Sequence, residues 1–152
     1  MNFDFRRLVR NPLFWILVLA LAFRLVNINA PFTGHHGWKE VQISGMAARF
    51  LDEGSWLVPR NFQASPQSGP LPLAAWIIAG FWMVFGIAEW SARLPMMFMG
   101  VASVYFIYLL GKEVYSERAG RYSALFLAVS PMAAYFSRIT AEISIVTLCT
   151  IL

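Results

Sequence analysis

The stretch Thr33–Phe62 reads TGHHGWKEVQISGMAARFLDEGSWLVPRNF and decides how the rest of the chain is read. It holds both histidines, the Lys39-Glu40 pair and much of the polar chemistry. Within it, Glu40 to Asp52 has a helical pattern. Val41, Ser44, Ala48 and Leu51 fall on one face, with Met46, Ala47 and Phe50 beside it. This helix is too short and too charged to cross a bilayer, so the expectation is an amphipathic helix lying along a membrane surface. Gly54 is its C-terminal stop. Trp56, Leu57 and Val58 before Pro59 read as an interfacial anchor. The segment QASPQSGP, Gln63 to Pro70, is a turn-rich loop.

The flanks are apolar. The chain has 152 residues, 59% hydrophobic and 16% aromatic, with 13% charged and a mean hydropathy of +0.59. A soluble domain carries roughly 25% charged residues. Half that share, with so many aromatics, points to a polytopic membrane protein. The net charge of +4 is small, and the basic residues sit at the ends of apolar segments. They read as topology signals and not as a nucleic-acid footprint. Cys149 is the single cysteine, which excludes an intramolecular disulfide or a thiolate metal cluster.

The expected fold is an all-α integral membrane bundle of several spans. The spans are placed at about 13–29, 71–88, 94–111 and 121–137, with another starting at 143. Residues 31–70 form the first extracytoplasmic loop. Arg6, Arg7 and Arg10 precede the first span and favour a retained span with a cytoplasmic N-terminus over a cleaved signal peptide. Arg24 inside this span is expected to snorkel to the interface. Arg93-Leu94-Pro95 is expected to open a helix, with proline in its first turn. Lys112 to Arg121 is a charged turn, Pro131 a kink or end, and Ser137 to Glu142 a polar segment. The run from Ile143 to Leu152 is too short to span, so the chain reads as the N-terminal part of a longer protein.

Several blocks then fall in an order that resembles a known family. These are W-K-E at Trp38–Glu40, A-A-R-F-L-D-E-G-S-W-L-V-P at Ala47–Pro59 and P-L-A-A-W at Pro72–Trp76. F-G-I-A-E-W-S-A-R-L-P follows at Phe85–Pro95, and S-R-I-T-A-E at Ser137–Glu142. The arrangement resembles the GT-C fold glycosyltransferases that use polyprenyl-phosphate sugars, relatives of protein mannosyltransferases and aminoarabinose transferases. The resemblance implies transfer of a sugar from a polyprenyl-phosphate donor to a lipid, glycan or protein acceptor. The reaction would take place at the extracytoplasmic face of a bacterial plasma membrane. It also implies a carboxylate in the first loop acting as general base, with basic groups on the leaving phosphate. Two positions depart from the pattern: Lys39 stands where many members carry an acid, and Pro70 where one group carries lysine.

On this reading Glu40 and Glu142 are the catalytic candidates, and Lys39, Trp38, His36, Arg60 and Arg138 the substrate-binding ones. Each has a plainer alternative. Glu40 also suits the acidic first turn of a surface helix, and Lys39 a solvated interfacial lysine. Trp38 either stacks on a sugar or anchors at the interface. Arg93 reads first as a brace between spans. Arg138 and Glu142 form an ion pair or belong to the site; an acid beside an apolar run calls for a partner. The residues assign no cofactor and no metal site. A divalent metal at His35, His36 and Glu40 stays open against loop histidines bonded to water or backbone. The alternative function is a non-catalytic membrane binding or assembly subunit.

Topology poses one conflict. If all four apolar segments cross, Glu142 lies on the cytoplasmic side, away from Glu40. A cytoplasmic Lys112–Arg121 turn removes the conflict, provided that Leu71 to Leu110 makes one net crossing.

Overall fold

A computed structural model describes residues 11–32, 37–54, 56–57 and 72–152. Among them are seven helices and no strand: α1 Pro12–Leu25, α2 Gly37–Glu53, α3 Leu73–Phe85, α4 Glu89–Val114, α5 Glu117–Val129, α6 Pro131–Phe136 and α7 Ile143–Ile151. The all-helical expectation holds for these residues.

The helix ends follow local chemistry. Asn11 caps α1, its Oδ1 accepting the Leu13 N–H at 3.0 Å, and Pro12 takes the first helical position. α1 stops at Leu25, short of the expected residue 29, because Asn27 adopts a φ of +58°. Asparagine tolerates that left-handed conformation better than most residues. α3 stops at Gly86, where φ is +84°. Ser91 Oγ then donates to the Gly86 and Ala88 carbonyls at 2.8 and 2.9 Å, tying this turn to the next helix. That helix, α4, therefore starts at Glu89 and not at Arg93, and Pro95 lies inside it. Ser116 caps α5 through the Ala119 N–H, and Ser130-Pro131 ends α5 and restarts the chain as α6.

α4 is the axis. Its 26 residues make it the one described helix long and apolar enough to cross a membrane. At 1.5 Å per residue it is about 39 Å long. α1 and α3 are apolar but shorter, with 14 and 13 residues. α5 folds back along α4 at a glycine crossing. A Cβ on Gly120 would lie 2.5 Å from the Tyr108 carbonyl oxygen, and one on Gly111 would lie 2.8 Å from the Gly120 Cα. The two backbones approach this closely only without side chains.

Two apolar clusters fill the bundle. Ile43, Met46, Ala47 and Phe50 of α2 meet Ala74, Ala75, Ile78, Ala79 and Trp82 of α3, with Ala92 and Met96 of α4. Leu13 and Ala20 of α1 join Val104 and Tyr108 of α4 and Ala124 and Ala128 of α5. The buried face of α2 thus runs through Glu40, Ile43, Ala47 and Phe50, while Val41 is exposed. The face expected from the sequence is corrected: α2 lays its apolar stripe on α3.

Polarity is distributed from inside to outside. Arg24, Glu40, Arg93, Ser103 and Thr140 are buried, whereas Trp15, Met83, Phe98, Phe126 and Val146 are exposed. Water disfavours this arrangement, and hydrocarbon favours it, since polar groups in a bilayer turn toward protein.

Candidate functional site

Glu40 opens the buried face of α2 and is 2% exposed. Arg93, in the second turn of α4, reaches it with a two-pronged grip. Its Nε donates to Oε1 at 2.9 Å and its Nη2 to Oε2 at 3.1 Å. Nη1 of the same guanidinium donates to the Ile28 carbonyl at 2.9 Å and also to the Ala30 carbonyl. The Arg93 guanidinium carbon lies 4.9 Å from the centre of the Phe32 ring. The Thr140 N–H completes the set, donating to Oε1 at 3.3 Å.

The geometry has a local cause. After the left-handed turn at Asn27, the Val26, Ile28 and Ala30 carbonyls accept from arginine side chains. Arg93 takes two of them, and Arg138 Nη1 donates to a third, the Val26 carbonyl, at 3.2 Å. Gly37 lets α2 begin against this turn, because a Cβ there would lie 2.5 Å from the Phe32 carbonyl oxygen. Four segments therefore converge at one end of the bundle: the turn after α1, the starts of α2 and α4, and the 137–142 segment. The turn joining α4 to α5 lies at the other end, the length of α4 away.

The 137–142 segment and Glu40 share one end of the bundle, and the Lys112–Arg121 turn lies at the opposite end.

The remaining candidates are distributed around this hub. Lys39 is half-buried, its Nζ 5.6 Å from the centre of the Trp38 ring, and Trp38 is 63% exposed. Arg138 engages the α1 turn and not Glu142. Glu142 is half-buried at the cap position of α7, where its carbonyl accepts the Val146 N–H at 2.9 Å and its side chain makes no capping bond. Among the described residues, no three His, Cys, Asp or Glu side chains gather to hold a metal ion. His35, His36 and Arg60 lie outside the described residues.

Chemically, the hub is a carboxylate held among donors. Oε1 accepts two N–H groups and Oε2 one. A carboxylate oxygen has two lone-pair sites, so Oε2 retains one acceptor position. Thr140 Oγ1 is buried beside this group and has no hydrogen-bond partner.

Two residues carry more than the sequence reading gave them. Arg93 is the hub's main donor. Arg24, expected to snorkel, is 1% exposed and turns inward. The signal for Arg24 was its position in an apolar run: an arginine there faces protein or a cavity more readily than lipid.

The sequence profile of the family described as dolichyl-phosphate-mannose-protein mannosyltransferase matches residues 66–152. "Putative mannosyltransferase YycA" of Bacillus subtilis is 36% identical over 67 residues, which is 44% of this chain and 10% of that protein. "Putative mannosyltransferase YkcB" of the same organism is 36% identical over 56 residues, 37% of this chain and 8% of that protein. The chain thus spans about a tenth or less of the length of these relatives. No solved structure matches.

Proposed function

Because this chain belongs to the dolichyl-phosphate-mannose-protein mannosyltransferase family, we propose that it forms the extracytoplasmic acceptor-activating end of a multi-span, GT-C type membrane glycosyltransferase. The sugar comes from a polyprenyl-phosphate donor and goes to a hydroxyl of a lipid, glycan or protein. Mannose is the first donor sugar to test, since the family and both relatives carry that name.

One observation carries the reading. Glu40 is held at the junction of four segments, and one of them bears Arg138 and Glu142. In the proposed step the acceptor hydroxyl oxygen attacks the anomeric carbon. The bond from that carbon to the phosphate oxygen breaks, and the phosphate leaves with the electron pair. The hydroxyl proton passes to Glu40 Oε2, the oxygen with an open acceptor position. Attack opposite the leaving group inverts the anomeric centre. Lys39, Arg138 and Arg60 supply positive charge for the leaving phosphate, and Trp38 and His36 contact the sugar. Glu142 serves as the second acid. A positioned general base contributes about 10²–10⁴-fold.

A bacterial plasma-membrane location with Glu40 outside the cytoplasm is supported by charge. Lys112, Arg118 and Arg121 lie at the end opposite Glu40, and cytoplasmic ends carry the basic excess.

A second reading has its own observation. Glu40 already accepts three N–H donors, which suits a purely structural ion pair and a non-catalytic assembly subunit. Glu40→Gln in the whole protein separates the two. The enzyme reading expects at least a 100-fold loss of transfer from polyprenyl-phosphate mannose, measured on protein that remains folded. Undiminished turnover removes Glu40 as the base.

A further inference from the structure

Among the described residues, Arg24 is the buried cation without an acid. It is 1% exposed, in the last turn of α1, inside an apolar run. Its guanidinium makes one hydrogen bond to the described residues, from Nη1 to the Ala20 carbonyl at 3.0 Å. Its Nε is buried and has no hydrogen-bond partner. The chain has eight acids. Glu40 holds Arg93, Glu53 holds Arg49 and Glu117 holds Arg121. Asp52, Glu89 and Glu113 are exposed, and Glu142 is half-buried and pairs with neither Arg24 nor Arg138. Asp4 lies outside the described residues.

Arg24 faces a cavity of about 440 Å³ between α1, α4 and the 137–147 region. Small residues line it: Gly100 and Ser103 of α4, Ala133 of α6, and Ser137 and Ser144. The three serines give their protons to backbone carbonyls, of Met99, Ala133 and Phe136. None of them supplies negative charge. Gly100 keeps room for the guanidinium, since a Cβ there would lie 2.9 Å from the Arg24 Nε. The lining residue Met132 is exposed, so the cavity opens at the surface of the bundle.

We propose that this cavity seats a further membrane helix of the same polypeptide, one that brings an aspartate or glutamate to Arg24. A cation at membrane depth is costly unless an acid completes it. Guanidinium and carboxylate meet through two parallel N–H···O bonds. Small side chains let a neighbouring membrane helix approach closely, whereas a free anion would leave the apolar walls unfilled. The chain spans 10% and 8% of the two matched relatives, and the inference rests on the multi-span protein proposed above, in which such helices follow. Ser137 lines this cavity and Thr140 meets Glu40, so the incoming helix abuts the segment that reaches the candidate site. Arg24 is thus a pin between helices and takes no part in the transfer step.

The test is a set of double-mutant cycles on the whole protein, read by thermal unfolding in a neutral, lipid-free detergent. Each Asp and Glu that follows residue 152 inside an apolar run is changed to its amide, alone and together with Arg24→Gln. One acid is expected to couple. Each single change then lowers the Tm, and the double variant unfolds no lower than the worse single one. If Arg24→Gln alone does not fold, recovery of folded protein on adding one amide change is the same result. Strictly additive losses for every acid, or no recovery with any, overturn the proposal. So does an Arg24→Gln protein with an unchanged Tm. An effect of Arg24→Gln that appears only when phosphatidylglycerol is added also overturns it, because the arginine then answers a lipid headgroup. The readout is folding and not transfer. Undiminished turnover by Glu40→Gln would therefore remove the proposed base and leave this pair standing, and uncoupled acids would remove the pair and leave Glu40 standing.

Discussion

The Thr140 backbone N–H donates to Glu40 Oε1 at 3.3 Å across a separation of 100 residues. A backbone donor cannot be removed by changing its side chain. The contact therefore ties the 137–142 segment to α2 with any residue except proline at position 140.

The Glu40–Arg93 pair should behave as a buried ion pair. Arg93→Met leaves a buried carboxylate without its main donor and is expected to destabilise the protein by about 3–5 kcal/mol. Adding Glu40→Leu should recover much of that loss, because an apolar pair of similar volume is often neutral. Thermal unfolding of the two single variants and the double variant measures the coupling. Purely additive losses would show that the two side chains do not act as a pair.

Asn27 is expected to accept glycine and reject valine. Asn27→Gly keeps the φ of +58°, whereas a β-branched residue there costs about 1–2 kcal/mol or more. The valine variant should also disturb the carbonyls that receive Arg93 and Arg138, so its loss should exceed the local cost. Stability curves of the two variants decide the matter.

Gly120→Ala should loosen the α4–α5 hairpin. The added carbon would press on the Tyr108 carbonyl oxygen, a backbone atom with little freedom to retreat. A loss of about 1–3 kcal/mol is expected. Gly80→Ala is the control, since nothing lies within 4 Å of a Cβ there. It should be neutral or slightly stabilising, because alanine is the better helix former.

The two ends of the bundle should label from opposite sides of a membrane. In a Cys149→Ala background, Trp38→Cys should react with an impermeant maleimide added outside intact cells. Ser116→Cys should react only after the cells are opened. Labelling of both from the same side would overturn the proposed orientation.

Much of the fold could be read from the chain because helix ends are local events. Asn11-Pro12, Gly86, Ser116 and Ser130-Pro131 each mark a boundary with neighbouring atoms alone. The rotation of α2 was not legible, because it depends on Arg93, 53 residues from Glu40. The start of α4 was misplaced for a related reason. Pro95 looks like a first-turn proline until Ser91 is seen tying Gly86 and Ala88 into the preceding turn.

The site was legible in part. The order of the motifs singled out Glu40 and the Ser137–Glu142 segment. Their meeting runs through the Thr140 amide, which carries no residue signature. Arg24 was misjudged because periodicity records only that a cation interrupts an apolar run. Whether it turns to the interface or inward depends on the space left at Gly100.

The separation of Glu40 from Arg93 also has a consequence in time. The 53 positions from Glu40 to Arg93 take about 3–10 s to synthesise at about 5–20 residues per second. Throughout that interval the Arg93 guanidinium is not yet available to Glu40. The buried docking of Glu40 on Arg93 can therefore form only after α4 delivers its second turn. The order of assembly is thus written into the spacing of one acid and one base.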